Sequence, residues 1–207
     1  MTEKERLNTY SSDFDIFAQA FFEKAKEIYK SEKYNEQDGW RSYATIIILS
    51  VASIEAYING YSTYHVYDNL IKSNQVETSL IDFLLEKNMN VNLDTKLLVW
   101  TKLITGKTFD KSIEPWGSYK TIRKLRDKLI HSKIKPVDSQ KIIESFRDYV
   151  IPERNWLFWE PNNYNEVNKD NAKKALETVV NIVNKLREFS NWGKPEPNFD
   201  GYKLNDI

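Results

Sequence analysis

The 207-residue chain contains no cysteine, which excludes a disulfide framework, a thiolate metal site and a cysteine nucleophile, and gives an oxidising compartment no support. Histidine occurs only twice, as His65 and His131, so a zinc site would have to be completed by carboxylates, and neither histidine stands in a helical His-Glu metal motif. No metal and no cofactor is expected. No pair of glycines has dinucleotide-fold spacing, and neither a GxxxxGK phosphate loop nor a GxSxG elbow occurs. Net charge is zero, so there is no whole-molecule field to steer nucleic acid, although local segregation can still make a patch. The longest uncharged run of the apolar region, Ser42 to Ile54, is closed by Glu55 and falls short of the roughly 20 residues a membrane span needs. It reads as a buried helix, with no membrane partner. The charged opening from Met1 to Arg6 lacks the apolar stretch of a secretory signal. A reducing, cytoplasmic setting is the expectation.

What is present is an aromatic-rich chain with six Trp, twelve Tyr and ten Phe, enough to build a sizeable core. Glycine and proline occur six times each, and apolar residues recur every three or four positions with no sustained alternation. The fold class is therefore all-α, a bundle of about five to seven helices. A first helix is expected after Ser12, as cap, with Phe14, Phe17, Ala18, Phe21, Ala25 and Ile28 on its inner stripe. A second, from about Trp40 to Ser62, is apolar almost all round and should be central. Shorter helices are expected near Glu77 to Glu86 and from Asp94, as cap, to Thr105, where Gly106 ends the run. Pro115 and Gly117 introduce a helix from Ser118 to Ser132. Another should run from Ser139 to Val150, ahead of an irregular aromatic stretch over 152–168. A strong helix begins after Asp170, and 191–207 reads as a tail. Residues 1–190 thus form one domain.

Most chemistry-bearing signals fall on the helix through Arg126. With Leu125 at zero on a helical wheel, Leu129, Ile122, Arg126 and Tyr119 fall at about 40, 60, 100 and 120 degrees. Arg126 therefore lies inside the apolar stripe, a costly place for a charge without a carboxylate, a polar cleft or an anionic ligand. Its expected internal partner is Glu55, which shares a polar stripe with Asn59 and Ser62 on the central helix. A pair that merely fixes the register of two helices is the plainer meaning of such a contact. His65, beside Tyr64 and Tyr67, reads as a structural histidine. His131 differs in its company: Asp127 stands four residues before it and can orient or polarise the imidazole. On an ideal helix His131 lies about 140 degrees from Arg126, so the two share a cleft most readily if two copies pack through the face of Arg123, Asp127, Ile130 and Ile134. A homodimer is expected on that ground. Lys120, Arg123, Lys124, Arg126, Lys128, Lys133 and Lys135 surround the single acid Asp127, a cluster suited to a phosphate backbone or to a solvated helix face.

The segment Arg126-Asp127-Lys128-Leu129-Ile130-His131 resembles the signature of the HEPN (higher eukaryotes and prokaryotes nucleotide-binding) domains, an arginine followed after four to six residues by a histidine near a helix end. Asp127 matches the polar residue that often follows the arginine, and Ser53-Ile54-Glu55-Ala56-Tyr57-Ile58-Asn59 is similar to the family's earlier helix. The match covers about Trp40 to Ser132. The resemblance implies a dimeric helical bundle and, in many members, a metal-independent endoribonuclease of toxin-antitoxin or antiviral systems. It also implies RNA as substrate and an antitoxin or defence protein as a further partner. On this reading Arg126 clamps phosphate, His131 is general acid or base, Asp127 orients it, Glu55 and Asn59 support, and Arg123, Lys124, Lys128 and Lys133 bind RNA. Two other readings stay open: a non-catalytic module that binds nucleotide, RNA or protein, and a structural or regulatory helical dimer.

Overall fold

A computed structural model describes residues 3–31, 39–66, 91–130 and 165–190. Among them five helices and no strand are present: α1 (Glu3–Lys30), α2 (Gly39–Val66), α3 (93–105), α4 (Trp116–Ile130) and α5 (Lys169–Phe189). α3 is a composite, with α-helical Leu93–Thr95 and Thr101–Thr105 flanking a π-helical turn over Lys96–Trp100. The protein is an all-α bundle. The expected helices at 77–86 and 139–150, the aromatic stretch up to residue 164 and the tail 191–207 lie outside the described residues.

α2 is the centre. α1 packs along its length, α5 and α4 lie against it, α3 touches it, and α4 and α5 close on each other. Ile46, Ile47, Val51, Ile54, Ile58 and Tyr61 of α2 are buried along one broad arc, and Ser53, Ala56 and Asn59 are buried outside it, so the helix is packed on several sides. Gly39–Thr63 is long and apolar enough by composition to cross a membrane, and 67% of its most apolar window is buried inside the bundle. That burial is what a core helix shows.

Two expectations about α1 are corrected. The helix begins at Glu3, so Ser12 lies inside it and is no cap; Glu3, Lys4, Glu5, Arg6 and Leu7 are good helix formers that extend it backwards. Its inner stripe keeps the expected Ala18 and Ala25, fully buried, with Phe21 and Ile28 packed against the core, but it includes the fully buried Phe22 and leaves out Phe17, which is 55% exposed. Phe17 instead stacks on Phe21 with ring centroids 6.4 Å apart. Phenylalanines at 17, 21 and 22 offer two adjoining apolar stripes, and the position of α2 selects between them.

α3 is capped by Asn92, whose Oδ1 accepts from the Thr95 amide at 3.0 Å, not by Asp94 as expected. It ends at Gly106, whose φ of 72° is the left-handed conformation that glycine adopts without strain. α4 starts after Pro115, where the Ser118 amide donates to Glu114 Oε2 at 3.1 Å and Glu114 serves as the capping acceptor. α5 starts after Asn168, which accepts from the Asn171 amide at 2.9 Å.

Candidate functional site

α4 carries its cations on two sides. Lys120, Lys124 and Lys128 are exposed, whereas Arg123 and Arg126 are half-buried where α4 meets α3 and α2. Tyr119, Ile122 and Leu125 form the buried stripe between them. Arg126 therefore leaves the core at its edge, as its place on the wheel requires.

Arg123 and Arg126 meet different surroundings. Asp94, at the start of α3, accepts from the Tyr119 hydroxyl at 2.7 Å and from Lys120 Nζ at 2.6 Å, and pairs with Arg123 Nη1. Partial burial works against the Asp94 charge, but these three donors outweigh it and hold the carboxyl below its ordinary value. Tyr119 is fully buried, and burial together with its bond to Asp94 pushes its hydroxyl well above the usual tyrosine value. Arg123 is thus held by Asp94, with Asp127 Oδ2 a further 3.8 Å from its Nε.

Arg126 is held more loosely. Its Nη1 donates to Asp127 Oδ1 at 3.0 Å, a bond along the same helix. Its Nη2 stands 3.9 Å from Glu55 Oε2 of α2, an ion-pair distance beyond a hydrogen bond. The expected Glu55 to Arg126 contact is therefore present in this open form. Both carboxylate side chains are 41% exposed and that of Arg126 is 27% exposed, so solvent and a ligand reach the group. Of the five guanidinium N–H donors, one is spent on a hydrogen bond among the described residues.

Beneath Glu55 lies a residue that the sequence reading missed. Lys96, in the π-helical turn, is 1% exposed, and its ammonium donates to Asn59 Oδ1 at 2.8 Å. Burial lowers the lysine pKa below its ordinary value, and the nearby Glu55 charge works in the opposite direction. Asn59 is the supporting residue expected at this site, here engaged with the lysine. Ser62, next along the same stripe, donates to the Asn59 carbonyl at 3.1 Å. The missed signal was legible: Leu93, Lys96, Leu97 and Trp100 fall at helical spacing and are all buried, so Lys96 stands in an apolar stripe as Arg126 does.

Of the other expected residues, Lys128 pairs with Glu166 in the turn before α5, which holds that carboxyl below its ordinary value. Lys124 is exposed and makes no hydrogen bond among the described residues. His131 and Lys133 lie outside the described residues, as does the side chain of His65. Ile130, on the face expected to meet a second copy, is 46% exposed. Among the described residues no three His, Cys, Asp or Glu side chains gather as a metal site would need.

The arrangement can bind an anion. An arginine with unspent donors sits at an accessible junction of two helices, restrained by two carboxylates, which suits a phosphate group. Compared with known proteins, the chain matches no family model, no curated sequence and no solved structure.

Proposed function

We propose that the protein is a metal-independent endoribonuclease of the HEPN type, acting as a toxin or antiviral-defence effector, with Arg126 and His131 at its active site. The observation that carries the reading is the state of Arg126: half-buried beside α2, hydrogen-bonded among the described residues only to Asp127, and 3.9 Å from Glu55. Its guanidinium can take two oxygens of a phosphate while both carboxylates keep it oriented. The sequence supplies the proton carrier, since His131 follows α4 directly and stands four residues after Asp127. Asp127 Oδ1 serves Arg126, while Oδ2 accepts no hydrogen bond among the described residues and is the oxygen left for an imidazole.

In the reaction the RNA 2'-hydroxyl loses its proton to a general base, and its oxygen bonds to the adjacent phosphorus. The bond from phosphorus to the 5'-oxygen breaks, and that oxygen takes a proton from a general acid. The products are a 2',3'-cyclic phosphate and a 5'-hydroxyl. His131 moves the proton, and Arg126 stabilises charge on the phosphoryl oxygens. Two copies packed through the Ile130 face bring His131 and Arg126 to one cleft.

Incubation of the purified protein with RNA in EDTA tests this. Wild type should cut and leave cyclic phosphate ends, and His131→Ala should lose about a hundredfold or more in rate while keeping its helical content. Undiminished cleavage by His131→Ala sinks the reading. Binding of RNA without cleavage by the wild type would make the protein a non-catalytic module.

A further inference from the structure

We propose that Lys96 is a positioning residue for the Arg126 site: its ammonium, anchored on Asn59 one helical turn from Glu55, attracts the Glu55 carboxylate, keeps it from closing onto Arg126 and leaves the guanidinium open to an RNA phosphate. The inference rests on the ribonuclease reading and deepens it.

The first ground is that the lysine is in a costly place. At 1% exposure it has surrendered its hydration, and its one hydrogen bond, to Asn59, leaves two of three ammonium donors without a partner among the described residues. A methionine would fill the same space without that cost, and buried charges often stabilise less than apolar residues of like volume. Packing alone does not call for a lysine there. The second ground is the turn that delivers it. Lys96 opens the π-helical turn, an element that costs regular helix geometry and is frequent at functional sites.

The third ground is the neighbourhood. Asn59 and Glu55 are one turn apart on α2 and share a face, so the ammonium that bonds Asn59 also acts on Glu55. Glu55 accepts no hydrogen bond among the described residues; it stands 3.9 Å from Arg126 and feels the Lys96 charge at longer range. With Lys96 removed, the carboxylate has one cation left to satisfy. An arginine and a carboxylate at 3.9 Å need little movement to form a two-pronged pair, and a guanidinium so engaged competes poorly for phosphate.

The test uses the full chain, a single-stranded RNA oligonucleotide, and its 2'-O-methyl counterpart, which has no free 2'-hydroxyl and cannot be cut. Cleavage in EDTA gives kcat and KM, titration with the uncleavable strand gives Kd, and thermal melting reports the fold. Lys96→Met should raise KM and Kd about tenfold while kcat changes by less than about threefold. In the Glu55→Gln background, Lys96→Met should change KM and Kd by less than about threefold relative to Glu55→Gln alone, because no carboxylate remains to close on Arg126. Structural damage by Lys96→Met would not be repaired by neutralising Glu55.

A folded Lys96→Met protein that binds and cuts like wild type overturns the proposal and leaves the ribonuclease reading standing. A loss confined to kcat, or a folded double variant about tenfold weaker than Glu55→Gln alone, overturns it too. If Lys96→Met alone does not fold, the double variant decides, and failure of both to fold places Lys96 in the core and rejects the positioning role. A wild type that neither binds nor cuts RNA overturns both readings.

Discussion

Arg123 and Arg126 stand three residues apart on one helix, carry the same charge and are both half-buried, yet one is spent and the other is not. Arg123 is gathered with Tyr119 and Lys120 onto Asp94, a carboxylate held below its ordinary value by the bonds it accepts. Arg126 has a neighbour on its own helix and a carboxylate at 3.9 Å. The difference separates a charge that builds the fold from one available for chemistry, and composition alone shows no such division. Arg123, expected from sequence to bind RNA, has its guanidinium paired with Asp94. Arg126→Ala should therefore lower kcat/KM for RNA about a hundredfold to a thousandfold, the cost of a removed oxyanion donor, with little change in melting temperature. Arg123→Ala should do the reverse, lowering the melting temperature and leaving cleavage within about threefold. Equal losses of activity would erase the distinction.

The next largest effect concerns Asp94 itself. Asp94→Ala removes the acceptor of the fully buried Tyr119 hydroxyl and releases Lys120 and Arg123, so it should destabilise the protein by about 2–3 kcal/mol at neutral pH. Because the folded carboxyl titrates below its ordinary value, its contribution is complete above about pH 4 and is lost as pH falls through the folded pKa. Chemical denaturation of Asp94→Ala and wild type should thus converge in acid. A gap that does not narrow as pH falls below about 4 would mean that Asp94 acts by packing and not by charge.

A carboxylate across α2 shows the opposite sign. Asp15 of α1 faces Arg187 of α5, which also bonds Tyr57, and burial pushes Asp15 up to about 6 despite that arginine. Tyr57 is buried here, so this cluster is enclosed where the Arg126 cluster is open. The folded state holds the Asp15 proton more tightly than the unfolded chain, whose value lies near 3.8, so stability falls as pH rises from about 4 to 6. Asp15→Asn should stabilise by about 2 kcal/mol at pH 7.5, allowing for partial exposure. The gain should shrink through pH 6 and vanish below pH 4. Denaturant titrations across that range check it, and a pH-independent difference would refute the assignment.

Much of this was legible in the sequence, for reasons that differ by residue. Spacing of three and four marks a bundle, the apolar circumference of α2 marks its centre, and Gly106 marks the end of α3, since each depends on a local rule. The contact between Glu55 and Arg126 was legible because a charge inside an apolar stripe asks for a partner and the central helix offered one. The inner stripe of α1 was legible in Ala18, Phe21, Ala25 and Ile28 but not in the choice of Phe22 over Phe17, because neighbouring phenylalanines compete and the partner helix selects. Lys96 satisfied the same rule as Arg126, framed by Leu93, Leu97 and Trp100 at helical spacing; what the sequence hides is its partner, Asn59 on another helix. Whether a charge is spent could not be read at all. That depends on Asp94 crossing from another helix, a matter of tertiary placement.

The smallest expected effect carries the same comparison to the lysines. Lys120 is bonded to Asp94, whereas Lys124, one turn along α4, is exposed and makes no hydrogen bond among the described residues. If α4 faces an RNA backbone, Lys124 is free to neutralise a phosphate and Lys120 must first leave its carboxylate. Each phosphate neutralised on a single strand releases condensed counterions and steepens the fall of log K with log salt by about 0.7. Lys124→Ala should therefore flatten the salt dependence of 2'-O-methyl RNA binding by about 0.7 and leave the melting temperature unchanged. Lys120→Ala should lower the melting temperature slightly, with a smaller change in slope, since its charge is already shared with Asp94. Titrations at several salt concentrations separate the two, and an unchanged slope for Lys124→Ala would take the exposed face of α4 out of the RNA path.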